Sequence, residues 1–141
     1  MEIEKTLIEK AGNIFRKSPV LFAYLYGSQA IGQPHPFSDL DVAIYIQQPL
    51  GRDDSRHLEM KMGLNIDHYF SDGPESDVRI INYLPLAVAG QIITEGILIY
   101  SISEDTRVDY ETSIRLLYFD FMPFINTYQR EYLAQIETDS M

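Results

Sequence analysis

Two aspartates, Asp39 and Asp41, follow a Gly27-Ser28 pair after ten intervening residues. That spacing suits chemistry on a polyphosphate. If Asp39 and Asp41 open a strand, period-two alternation sends both carboxylates off one face, with Cα atoms about 7 Å apart. Such a pair can hold a hard divalent cation through oxygen, as Mg²⁺ requires. Leu40, between them, then points to the opposite face and into a core. Gly27 has no Cβ to stand in the way of a phosphate and can adopt φ > 0. Ser28 is a good N-cap, and its hydroxyl adds a donor where the free N–H groups of a helix start meet an oxyanion.

A two-metal centre needs a further acid, and Asp77, heading the β-rich DVRIIN, is the best candidate. Ions about 4 Å apart would clamp the entering and leaving oxygens of an in-line displacement. Asp77 would also be placed to take the proton from an attacking hydroxyl. Arg79 shares a strand face with Asp77, for contact with a triphosphate oxygen or for an ion pair with a catalytic acid. Gln29 is either a phosphate contact or a surface residue. The rival acids Asp67 and Asp72 fall in polar, turn-like sequence. His35, His57 and His68 show no metal-ligand spacing, so zinc is not expected.

The elements that must position these groups are legible from periodicity. Residues 3–15 carry apolar side chains at helical spacing (Ile3, Leu7, Ile8, Ala11, Ile14, Phe15) and Ser18-Pro19 ends that helix. Residues 20–26 form a short apolar and aromatic run stopped by Gly27, the form of a buried strand. Residues 28–31 suit one helical turn, and Pro34-His35-Pro36 stiffens the loop beyond. Strands are expected at 41–46, 77–82 and 97–100, with helices at 52–67 and 85–94. In the last segment Ile114, Leu117, Tyr118, Phe121, Ile125, Tyr128, Tyr132 and Ile136 make one helical stripe, expected to be mostly core. Pro123 predicts a kink or break there. Phe119 and Phe124 fall off the stripe and, with Tyr110, would form an apolar partner surface unless the proline turns them inward.

Bulk composition narrows the classes. One domain spanning 1–141 is expected, long enough to bury a core, and strands alternating with helices imply an α/β or α+β fold. The absence of cysteine excludes disulfides and thiolate metal sites. No apolar run approaches the ~20 residues of a membrane span and the charged start is unlike a signal peptide, so a cytoplasmic protein is the simplest expectation. Eleven Lys and Arg against 21 Asp and Glu give a net charge of −10, which disfavours nucleic-acid binding and suits a basic protein partner.

The GS-x10-D-x-D pattern of Gly27, Ser28, Asp39 and Asp41, with Asp77 on a later strand, resembles the DNA polymerase β-like nucleotidyltransferase superfamily. More narrowly, the chain is similar to the MNT-type minimal nucleotidyltransferases. FAYLYGSQAIGQPHPFSDLDVAIYI, DVRIINYLPLAVAGQIITEGILIY and YFDFMPFINTYQREYL follow that family's order and spacing over nearly the whole length. The resemblance implies a nucleotidyltransferase fold, a small mixed sheet of about four strands flanked by helices, closed by a C-terminal amphipathic helix. It implies that Gly27 and Ser28 hold the triphosphate, beside which Gln29 and Arg79 are placed as candidate further nucleotide contacts. Asp39 and Asp41 would bind Mg²⁺, two ions in the family's manner, and Asp77 would serve as metal ligand and base.

The same resemblance implies an antitoxin that moves AMP from ATP to a tyrosine of a HEPN-domain ribonuclease toxin. Two alternatives stand beside it. One is an antitoxin that masks the toxin by contact alone; the other is a small-molecule nucleotidyltransferase of the aminoglycoside type, for whose second domain this length leaves little room.

Overall fold

The computed structural model describes residues 2–27, 40–71, 73 and 75–139. The order is α1 (Glu2–Phe15), β1 (Val20–Tyr26), β2 (Leu40–Ile46), α2 (Arg52–Asp67), β3 (Ser76–Ile80), a 3₁₀ turn (Ile81–Tyr83), α3 (Leu86–Glu95), β4 (Ile97–Ser101) and α4 (Glu104–Asp139). The strands form one mixed sheet in the order β3-β2-β1-β4. β1 runs antiparallel to both β2 and β4, while β2 and β3 are parallel. A parallel pair needs a crossover, and α2 supplies it.

Alternation along the strands builds two cores. Leu40, Val42, Ile44 and Ile46 of β2 face α1 and α2, meeting Leu7, Ile14, Phe15, Leu58, Met62 and Ile66. Phe22, Tyr24 and Ala43 face the other way, toward Ala89, Ile92 and Ile93 of α3. Each fully buried Leu, Ile or Phe contributes about 1.5–3 kcal/mol. α3 and α4 approach closely at Gly90, where an added Cβ would lie 2.1 Å from the Tyr118 ring. α1 stops where Lys17 takes φ 61° and the Ser18 N–H bonds the Phe15 carbonyl.

Helix 52–67 has the expected bounds, and strand and helix ends elsewhere shift by a residue. The third strand is the larger departure. It ends at Ile80, because the chain turns into the 3₁₀ segment where Asn82 exchanges hydrogen bonds with both main-chain groups of Ile46. The expected break at Pro123 does not occur: α4 is continuous through it over 36 residues, with the Pro123 carbonyl accepting from the Thr127 hydroxyl.

The expected core stripe of α4 is also only partly buried. Ile114 and Tyr118 pack inward, but Leu117 and Phe121 are exposed, because α3 covers only one side of the helix. The side chains of Ile125, Tyr128, Tyr132 and Ile136 lie outside the described residues. Phe119 and Phe124 are exposed as expected of a partner surface. Tyr110 is not part of it; its ring is half-buried against Phe22 and Tyr45.

Candidate functional site

The end of β1 and the starts of β2 and β3 meet at one end of the sheet. Antiparallel pairing sets Tyr26 beside Asp41, and parallel pairing sets Asp41 beside Asp77. Neighbouring strands lie about 4.8 Å apart, so the two carboxylates leave adjacent backbones. They leave by the same face, since Leu40, Val42 and Val78 fill the opposite one. Arg79, two residues beyond Asp77, emerges there too, its Nε 3.4 Å from Asp77 Oδ2. Arg79 thus forms the ion pair with an acid that was one of its foreseen roles. Both partners are substantially solvated, so the pair itself adds at most about 1 kcal/mol.

Gly27 closes β1 with φ 75°, in the left-handed region that glycine enters without strain. A Cβ there would stand 2.4 Å from Asp41 Oδ2. A side chain at this position would therefore be strained and would have to displace the Asp41 carboxylate. Ser28, Gln29 and Asp39, with the helical turn expected at 28–31 and the loop at His35, lie outside the described residues. Among the described residues no group of three or more His, Asp or Glu gathers as a metal cage. The donor set of Asp41 and Asp77, paired carboxylates against a glycine cradle, nevertheless fits a hard oxygen-seeking cation such as Mg²⁺.

Sequence reasoning missed Tyr26. It packs against the Phe22–Ala43 core, and burial, then the Asp41 carboxylate and more weakly Asp77, pushes its hydroxyl up to about 12 against the opposing pull of Arg79. The signal was strand parity: residues 22, 24 and 26 share a face, but only the pairing register brings that face to Asp41. The rival Asp67 has another task. Its Oδ1 accepts the Ser76 N–H at 3.0 Å, and Glu59 Oε2 accepts the Ile80 N–H at 2.9 Å, so α2 covers the outer edge of β3. Asp72 lies outside the described residues. His57 and His68 are exposed on and just after α2, away from the acids.

A second polar group lies on the α4 side. Glu111, the buried acid of the core, is held by Arg107, which also grips Glu104. The Tyr24 hydroxyl is buried beside Glu111, and burial together with that carboxylate drives its pKa far up.

Residues 9–105 match the family described as Polymerase beta, Nucleotidyltransferase. The chain is a member of this nucleotidyltransferase family. Its matched region runs from α1 to the start of α4 and contains every candidate site residue. No curated protein sequence matches the chain.

Solved structures share the nucleotidyltransferase fold at low identity. A toxin–antitoxin complex with AMP-PNP superposes with a TM-score of 0.66 at 14% identity, covering 92% of this chain and 98% of that one. A tri-AMPylated Shewanella oneidensis HEPN toxin in complex with MNT antitoxin gives a TM-score of 0.58 at 14% identity, covering 89% and 98%. An MntA–HepT toxin–antitoxin complex gives 0.57 at 13% identity, with the same coverage of 89% and 98%. These likenesses agree with the MNT-type resemblance in fold.

Proposed function

We propose that this nucleotidyltransferase is an antitoxin that transfers AMP from ATP to a tyrosine hydroxyl of a HEPN-domain toxin. The observation that carries the reading is the registration of Asp41 against Asp77 beside a positive-φ glycine packed on Asp41. Further support comes from the fold shared with complexes that contain AMP-PNP in one case and a tri-AMPylated HEPN toxin in another.

In this reading Gly27 and Ser28 receive the triphosphate, with Gln29 as a further contact and Arg79 shared between phosphate and Asp77. Asp39, Asp41 and Asp77 hold Mg²⁺, which supplies neutralisation of phosphate charge. The tyrosine oxygen attacks the α-phosphorus of ATP in line with the bond to the β-phosphate. A new O–P bond forms, the Pα–O bond breaks, pyrophosphate departs and the phenolic proton passes to Asp77. A tyrosine is an ordinary acid of pKa ~10, so a carboxylate at hand matters at neutral pH.

The test incubates the chain with a purified HEPN toxin, ATP and Mg²⁺, and weighs the toxin intact. The expected result is a mass increase by whole AMP units, lost without ATP. An unmodified toxin that is neutralised all the same would show masking by contact and overturn the transferase reading.

A further inference from the structure

The first four turns of α4, as far as Tyr118, sit on the sheet and α3 by one side, but the helix runs on for about 54 Å in all. Its outward side carries an unusual sequence for a free surface. Leu116, Phe119 and Phe124 are 65%, 64% and 72% exposed, with Leu117 and Phe121 beside them. Between Arg115 and Arg130 the only charged residue is Asp120. A helix apolar around most of its circumference belongs inside a protein, and here one side alone is covered.

The spacing of Asp105, Asp109, Leu116 and Phe119 (steps of four, seven and three) places them on one stripe of the helix. Both aspartates are exposed, as is Asp120 at the margin. The nearest cations are committed elsewhere: Arg107 to Glu104 and Glu111, and Arg115 to Glu111. The stripe is thus acidic toward the sheet and apolar beyond it. The family match ends at residue 105, so beyond Asp105 this stripe lies outside the region that defines the catalytic fold.

We infer that the outward stripe of α4 is the surface on which the toxin partner docks, through an apolar groove whose rim carries lysine or arginine opposite Asp105, Asp109 and Asp120. The assignment rests on the antitoxin reading. A second copy of this chain fits poorly. Pairing about Phe119 sets the two Asp120 carboxylates side by side and joins two chains of charge −10. A partner with a cationic rim answers both halves of the stripe, and apolar anchors at its centre would carry most of the affinity.

The test measures binding of the purified full chain to the HEPN toxin that it modifies or neutralises, by calorimetry, with intact mass as a parallel readout of transfer. Leu116→Ser with Phe119→Ser is expected to weaken binding about 30-fold or more, with helix content and melting temperature kept. Asp105→Asn with Asp109→Asn is expected to slow association and flatten its dependence on salt. Asp41→Asn is expected to bind as the unaltered chain does while transferring nothing.

If the unaltered chain neither binds nor modifies any HEPN toxin, the antitoxin reading fails and the docking assignment falls with it. If it binds and the serine pair binds equally well, only the docking assignment falls. A dimer of this chain that the serine pair splits, with toxin binding unchanged, would give the face to a second copy and overturn the assignment too.

Discussion

Asp41 and Asp77 stand on adjacent strands in direct register, so each is expected to matter without supporting the fold. Asp41→Asn or Asp77→Asn should lower AMP transfer by about 10²-fold or more, the scale of several kcal/mol of lost transition-state stabilisation. Radiolabel transfer from ATP, read beside an unchanged melting curve, checks this. Gly27→Ala is expected to cost both function and stability. Its φ of 75° adds roughly 1–2 kcal/mol of backbone strain, and the new Cβ displaces Asp41 Oδ2. A variant that transfers AMP at the original rate would break the link between this glycine and the acid. At this scale the sequence was readable where motif and parity coincide, as for Gly27, Asp41 and Asp77. Tyr26 was not readable, because its nearness to Asp41 comes from a pairing register between strands that residue types alone do not encode.

Helices and strands were legible wherever a local pattern had a local stop. Helix 52–67 and strand 20–26 have the bounds their patterns implied. DVRIIN misled because Ile81 keeps β-like composition while the Asn82 amide binds the Ile46 main chain and turns the backbone into a 3₁₀ segment. Of the kink or break expected at Pro123 the break does not occur: one missing N–H costs ~3 kcal/mol, and the turns of helix on either side remain in place. Packing between elements offers a sharper prediction. Gly90→Ala should raise intrinsic helix propensity by about 1 kcal/mol, yet the methyl collides with the Tyr118 ring. Overpacking of this kind costs about 1–3 kcal/mol. The variant is therefore expected to melt lower, and pairing it with Tyr118→Leu should recover the loss.

For the molecule as a whole, two tyrosines besides Tyr26 couple stability to alkaline pH. Burial, aided by Tyr45, pushes the Tyr110 hydroxyl up to about 12, and burial with Glu111 drives Tyr24 in the same direction. Below pH 10 both hydroxyls are protonated folded or unfolded and contribute no pH dependence. Above pH 10 the unfolded chain releases these protons while the folded chain retains them, so stability falls from about 10 through about 12. Melting temperature followed beside tyrosinate absorbance should show this, and Tyr24→Phe should flatten the alkaline slope without lowering stability at neutral pH.

A last consequence follows from the way α2 lies along β3. Open sheet margins invite foreign chains to stitch onto them by main-chain pairing, the route to runaway polymerisation. Here Asp67 and Glu59 have already taken the Ser76 and Ile80 donors on that margin. Other chains must therefore meet this side of the protein through side chains, where shape and charge can discriminate among them, rather than through a backbone that every polypeptide shares.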